Sequence, residues 1–123
     1  MAELIKTTVG FSDMSGELVF TPVTGSDFIL LDNADGRVSL IIRNTNTQNA
    51  TVTLKAGNGS IAGLGDVPIA AGGSKTVAVP FSRVESARVK VIAGENKGQV
   101  FVSSAVDAGG SLANLSIAVL SVA

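Results

Sequence analysis

The sequence of 123 residues contains no histidine, cysteine, tryptophan or tyrosine. Histidine is the commonest general acid or base in enzymes, because its unperturbed pKa lies near neutral pH. Without histidine and cysteine the chain lacks the usual ligands for zinc, copper and iron, which leaves only oxygen ligands for calcium or magnesium. The composition therefore predicts a protein that is not an enzyme and that uses no cofactor.

Charged residues are scarce as well. The chain has 9 basic and 10 acidic residues, a formal net charge of -1, and only 15% charged residues in total, compared with about 25% in an average soluble protein. Because there is no basic excess, neither nucleic acid nor an anionic membrane is an expected partner. A surface so poor in charge favours association, so we expect the protein to work within an assembly.

The start of the chain carries no targeting signal that we can identify. Residues 1–3 include no basic segment followed by an apolar stretch, which a secretory signal requires. The longest apolar run is also far shorter than the 18 or so residues of a spanning helix. Neither secretion nor membrane insertion is therefore expected.

Apolar and polar residues alternate with a period of two from end to end, and helical spacing is not sustained anywhere. Clusters of Gly, Asn, Asp and Ser separate the alternating runs at spacings near ten residues, which is typical of a β-sandwich. We predict an all-β, single-domain antiparallel sandwich over residues 1–123, of jelly-roll or immunoglobulin-like type, with eight or nine strands. The predicted strands lie near residues 4–9, 18–23, 28–31, 37–43, 50–55, 77–81, 89–91, 100–102 and 115–119.

Four glycine-rich or polar stretches are candidates for binding sites. Residues 57–62 fit a loose dinucleotide fingerprint, but the sequence after them cannot open the helix that the phosphate needs. Residues 72–76 lack the glycine-lysine step of a phosphate loop and favour a tight hairpin turn. Residues 32–36 favour a turn over a weak cation site, because their spacing misses a calcium loop. Residues 43–49 favour a hairpin tip, with a contact loop for a partner or glycan as the alternative.

A short cationic segment is the strongest candidate for a contact with a partner. If Val89 and Val91 face the core of a strand, Arg88 and Lys90 emerge together on the exposed face, with Arg83 nearby in sequence. Such a stripe could contact an acidic partner, or it could be a solvated strand face that protects an edge. No serine has a base beside it in a recognisable pattern, so we assign no catalytic residue.

Several segments between residues 37 and 105 follow each other in a distinctive order. A valine-rich strand that ends in asparagine precedes an Ala-Gly-Gly turn and a strand that ends in Pro-Phe. The segments are 37–44, 50–54, 67–73, 77–81, 89–93 and 99–103. This order resembles that of small tailed-bacteriophage virion proteins that act as capsid decoration or cement proteins. The resemblance covers roughly residues 37 to 105, and residues 1–36 carry no matching motif.

This resemblance implies a β-sandwich on the capsid exterior of a virion, made in the cytoplasm of a bacterial host. The implied partner is the major capsid protein, and the implied form is a homo-oligomer, most simply a trimer. No metal site or catalytic residue is transferred by the resemblance. We expect docking through one end of the sandwich, aided by a candidate N-terminal arm over residues 1–6 in which Glu3 and Lys6 are contact residues.

Two other functions compete with this one. A self-assembling subunit of a tail tube or pilus would have the same composition. A carbohydrate-binding or adhesion module is also a common use of the fold, although the missing Trp and Tyr remove the rings that usually stack on sugars. An enzyme would need two carboxylates converging in a cleft, and the sequence pairs none of them.

Overall fold

A computed structural model describes residues 2–9, 16–31, 37–81 and 86–122. Ten strands form two five-stranded mixed sheets that pack together as a β-sandwich, which confirms the predicted all-β class. Apart from two short 3-10 turns, the described residues include one helical turn, α1 (Ser86–Val89). The strands are β1 (Ala2–Glu3), β2 (Lys6–Val9), β3 (Thr21–Pro22), β4 (Ser26–Leu30), β5 (Val38–Asn44), β6 (Ala50–Leu54), β7 (Val67–Ala71), β8 (Lys75–Pro80), β9 (Gln99–Val106) and β10 (Leu115–Val122).

The first sheet has the strand order β1-β4-β9-β6-β7, and the second has the order β2-β10-β5-β8 with β3 also paired to β10. The inner pairs are antiparallel, as predicted, whereas β1 pairs with β4 and β2 pairs with β10 in parallel. The sequence predicted a single strand over residues 4–9. Instead the chain passes from the first sheet to the second within that segment, which accounts for part of the higher strand count.

Most connections cross from one sheet to the other, and of the described strands only β6 and β7 form a hairpin within one sheet. The turns over residues 45–49 and 72–74 were predicted as hairpin turns, but each is an arch that joins the two sheets. The prediction failed there because a period of two identifies the buried face of a strand, not the sheet to which the strand belongs.

The two ends of the sandwich differ in the length of their connections. The short-turn end carries the connections 23–25, 45–49, 72–74 and 107–114. The long-loop end carries the loops 55–66 and 81–98, of which residues 82–85 lie outside the described part of the chain. Because β4 and β10 run towards the long-loop end, Leu30 and Val122 are the last residues of their strands there.

The core is built from alternate residues of the inner strands, which face each other between the two sheets. The predicted alternation is confirmed in β5 and in β6, where the residues between the buried ones are half-buried or, like Thr51, exposed. Phe81 is the largest fully buried side chain among the described residues. The central members of the core are Val38, Leu40, Ile42, Val52, Leu54, Phe81, Val100, Val102, Leu115, Ile117 and Val119.

The N-terminal segment covers one side of the sandwich, which we call the closed side. Leu4 lies between β1 and β2, is only 1% exposed, and its main-chain N–H donates to the Phe28 carbonyl over 2.9 Å. The candidate arm is therefore paired with β4 and β10 of its own chain. The opposite side is bounded by β7 and β8, each of which has a strand neighbour on one edge only within the described part of the chain. We call this the open side.

A buried asparagine network holds the short-turn end together. The Asn44 side chain is 1% exposed, and its Nδ2 donates to the carbonyls of Gln48 (2.9 Å), Ala71 (3.0 Å) and Gly72 (3.3 Å). Its Oδ1 accepts from the main-chain N–H and the Nδ2 of Asn46, at 3.0 and 2.9 Å. The side chains at the centre of the polar stretch 43–49 thus bind the protein's own turns.

Candidate functional site

Arg88 joins the two loops of the long-loop end by side-chain hydrogen bonds. The guanidinium of Arg88 in α1 donates from Nε to the Gly65 carbonyl (2.8 Å) and from Nη2 to the carbonyls of Leu64 (3.0 Å) and Asp66 (2.9 Å). Three consecutive carbonyls at the end of the loop 55–66 are therefore held by a single planar side chain. Arginine suits this role because its donors have a fixed geometry and its charge strengthens each hydrogen bond.

Asn58 connects the same two loops at a second point. Its Nδ2 donates to the Ala93 carbonyl over 3.0 Å, and its Oδ1 accepts from the main-chain N–H of Ile92 over 2.8 Å. The backbones also meet directly, since the N–H of Gly57 donates to the Arg88 carbonyl over 3.0 Å. The two loops therefore form one cross-linked surface.

An ion pair closes the base of the loop 55–66. Lys55 Nζ lies 2.8 Å from Asp66 Oδ2, and the N–H of Ala56 donates to Asp66 Oδ1 over 2.7 Å. The hydrogen bond from Lys55, together with that from Ala56, lowers the pKa of the Asp66 carboxyl below its ordinary value. Because the folded-state pKa is lowered, this contact stabilises the fold at neutral pH and is lost as the pH falls through that value.

Apolar side chains project into solvent at this end. Leu64 is 64% exposed and Ile92 is 49% exposed, while Leu30 and Val122 at the strand ends are 40% and 45% exposed. The other two large apolar side chains that are exposed among the described residues, Ile5 and Val19, lie in the segments that precede β2 and β3. Among the described residues, the short-turn end exposes no large apolar side chain. The long-loop end is thus the more apolar of the two ends.

Gly57 gives a direct test of the close approach between the loops. A Cβ at this position would overlap the Lys90 carbonyl oxygen and lie 2.6 Å from its carbon and 2.8 Å from the Val89 oxygen. We expect Gly57→Ala to lower the free energy of unfolding by about 2 to 3 kcal/mol in urea titrations, because the backbones must move apart. The matched control is Gly63→Ala, where a Cβ meets nothing within 4 Å. Equal losses in the two variants would contradict the close approach.

The predicted contact residues are not gathered into one patch. Glu3 is exposed in β1 and Lys6 is half-buried in β2, both on the closed side, whereas Arg88 and Lys90 lie at the long-loop end. Arg83 lies outside the described residues. The structure therefore separates the N-terminal pair from the pair in the loop 81–98.

The prediction of a strand around Arg88 and Lys90 is wrong. Residues 86–89 form α1, and Lys90 makes only an isolated bridge to Val100. Val89 and Val91 are buried, as predicted, but the Arg88 side chain crosses to the neighbouring loop instead of standing on an exposed strand face. The Arg88 carbonyl accepts a hydrogen bond from the N–H of Gly57, which ties this turn to the loop 55–66.

The stretch 57–62, which fits a loose dinucleotide motif, does not lead into an α-helix. After residues 57–62 the chain makes only a 3-10 turn, Ala62–Leu64, before β7 begins, so no helix N-terminus is available for a phosphate. The stretch 32–36 lies outside the described residues. Within the described ranges, no group of three acidic side chains is placed to hold a metal ion. The same ranges include no helix with the length and apolar character needed to cross a membrane.

Comparisons with protein-family models, with curated proteins and with solved structures find no significant match to this chain.

Sequence reasoning missed the residues that shape the long-loop end. Leu64 stands between two glycines in a loop, and Ile92 follows a buried valine, so neither has the periodic neighbours that reveal exposure. Asn58 lies in a glycine-rich stretch, and no local pattern indicates its bonds to residues 92 and 93. The one available signal was an isolated large apolar residue within a glycine-rich loop, which is unfavourable in water unless it is covered.

Proposed function

We propose that this protein is a structural virion component that binds the outer surface of a phage capsid through its long-loop end. The observation that carries the proposal is the exposure of Leu64, Ile92, Leu30 and Val122 at one end of the sandwich. The two loops at that end are cross-linked by Arg88 and Asn58. Exposed apolar side chains at an end whose described loops are hydrogen bonded to each other are suited to a fixed partner.

Rigidity matters because binding orders whatever was mobile before. Loops that are already hydrogen bonded to each other lose little conformational freedom on docking, so more of the apolar contact energy contributes to affinity. Each square ångström of apolar surface buried contributes about 25 cal/mol. A shell also offers many equivalent sites, and an oligomer that engages several at once gains avidity without tighter individual contacts.

The phenylalanines argue against the carbohydrate-binding alternative. Phe11 lies outside the described residues, and the other four are buried or half-buried. The ring of Phe20 is covered by the Arg43 guanidinium, 3.7 Å from its centroid. Among the described residues, then, no fully exposed aromatic face is available to stack on a sugar ring. The capsid proposal needs no such ring.

The proposal would be tested by co-sedimentation of this protein with undecorated capsids of the phage to which the proposal assigns it. We expect the wild-type protein to sediment with the capsids and Ile92→Lys to lose at least about tenfold in affinity, because a charge would be buried in the apolar contact. Ile5→Lys is the matched control, since Ile5 is 48% exposed and Ile92 is 49% exposed. We expect the control to bind like the wild type.

Two results would contradict the proposal. Failure of the wild-type chain to sediment with the capsids would remove capsid binding altogether. A loss of binding in Ile5→Lys but not in Ile92→Lys would place the contact on the N-terminal segment instead of the long-loop end.

A further inference from the structure

The open side of the sandwich presents two strand edges without neighbours. β7 pairs with β6 and β8 pairs with β5, and neither has a second strand partner among the described residues. An unpaired edge exposes main-chain N–H and C=O groups that can pair with another strand. Near the short-turn end, a groove of about 670 Å³ opens between these strands and is lined in part by Ala71, Lys75 and Val77.

Side chains between the two edges are only partly covered. Val67 and Ile69 of β7 and Val77 and Val79 of β8 pack against the core but remain half-exposed. On the closed side, by contrast, Leu4 is 1% exposed because the N-terminal segment crosses over it. The open side is therefore a stretch at the margin of the core that the described residues leave only partly covered.

The edges carry little that would repel a second edge. Residues 67–80 contain one charged side chain, Lys75, at the short-turn end of β8. Pro68 and Pro80 each remove one donor, which is a common protection of edge strands, but both lie in the half nearer the long-loop end. The outward-facing Ala70, Thr76 and Ala78 are small or short, so another strand can approach closely.

We infer that the open side joins a second copy of this chain. β7 runs towards the short-turn end and β8 runs away from it. A two-fold axis parallel to the strands would therefore place β7 of each copy antiparallel to β8 of the other. Both sheets then continue across the joint, and both rows of half-exposed aliphatic side chains are covered at once. This isologous contact uses the same surface on each copy.

The size of this contact agrees with a reversible dimer. β7 and β8 contain 5 and 6 residues, so each edge is about 17 to 20 Å long, and packed sheets lie about 10 Å apart. With flanking side chains, the two copies would bury roughly 1,000 Å² in total, the lower limit for a specific interface. Two strand pairs would supply somewhat fewer than about ten main-chain hydrogen bonds, close to a typical interface.

The geometry also fixes the number of copies. Both free edges face the same way, so one neighbour occupies both and the contact closes on itself. This favours two copies in solution, whereas the resemblance to decoration proteins favours three. It also disfavours a filament built through these strands. The inference does not depend on capsid binding, because the long-loop end takes no part in the contact.

Sedimentation equilibrium over roughly a hundredfold range of protein concentration would test the inference. We expect the wild type to approach the mass of two chains at the upper concentrations. The double variant Ala70→Lys with Ala78→Lys should raise the dimer dissociation constant at least about a hundredfold, because it brings two pairs of lysines together, one pair on each outer face of the joint. Both positions are exposed, so the fold is retained, which circular dichroism would verify.

The matched control is Ala105→Lys with Ala113→Lys, which adds the same charge at exposed alanines away from the open side. This control should dimerise like the wild type. A wild-type chain that stays single at every concentration, a mass of three chains, or equal weakening by the two double variants would each overturn the inference. As a second measurement, hydrogen exchange in β7 and β8 should slow as the dimer forms.

Discussion

Replacing Asn44 with aspartate is expected to lower the free energy of unfolding by about 3 to 5 kcal/mol, although the side chain keeps its shape. The substitution removes the Nδ2 donor and places an oxygen against the carbonyls of Gln48, Ala71 and Gly72. At neutral pH it also buries a negative charge at a position that is 1% exposed. Urea titration at pH 7 would measure the loss.

The pH dependence of this variant gives a second measurement. A carboxyl surrounded by carbonyl oxygens and removed from water has its pKa raised in the folded state, so protonation restores a donor. The stability deficit of Asn44→Asp should therefore shrink as the pH falls below the raised pKa. Asn96→Asp, at an exposed position, is the control and should change stability by less than about 0.5 kcal/mol. A deficit at Asn44 as small as that would contradict the buried network.

Truncation of Phe81 to alanine is expected to cost about 3 to 5 kcal/mol, the usual range for removing a buried aromatic side chain. Phe81 follows β8 directly and is 1% exposed, the largest of the fully buried side chains. It fills the core where β8 ends, beneath the start of the loop 81–98. Because the rigid strands cannot collapse into the space, the cavity should persist. Thermal or urea unfolding of the variant would give the loss.

Phe101→Ala provides the matched comparison for Phe81. Phe101 is half-buried and lies opposite Phe28 in the pairing of β9 with β4. Removing one ring of this cross-strand pair should cost only about 1 to 2 kcal/mol, because part of the ring is already in water. Similar losses for Phe81→Ala and Phe101→Ala would show that the core assignment is wrong.

The parts of the fold that the sequence predicts are those where burial alternates without interruption. In β5 the residues Val38, Leu40 and Ile42 face the core, and Ile41 sits on the half-buried opposite face. The same logic succeeds in β6 and β10. It fails at residues 86–91, because Val89 and Val91 are buried although residues 86–89 form α1, so a spacing of two between buried valines does not by itself identify a strand.

The candidate surfaces were harder to predict than the strands. The long-loop end depends on Arg88 reaching carbonyls 22 to 24 residues away, and no local pattern encodes so distant a contact. The open side depends on β7 and β8 being the last strands of different sheets. A hydrophobic period of two is the same for an edge strand and a central strand, so the sequence alone could not show which strands lacked a neighbour.

The parallel pairing of β2 with β10 determines how the sandwich bears mechanical load. Lys6 pairs with Val119 and Val9 with Val122, so β2 and β10 run side by side in the same direction. A force that pulls the first residue of β2 away from the last residue of β10 drives the two strands past each other in shear, and the hydrogen bonds between them must break together instead of one at a time. Such an arrangement should unfold slowly under tension, where the rate of unfolding determines survival.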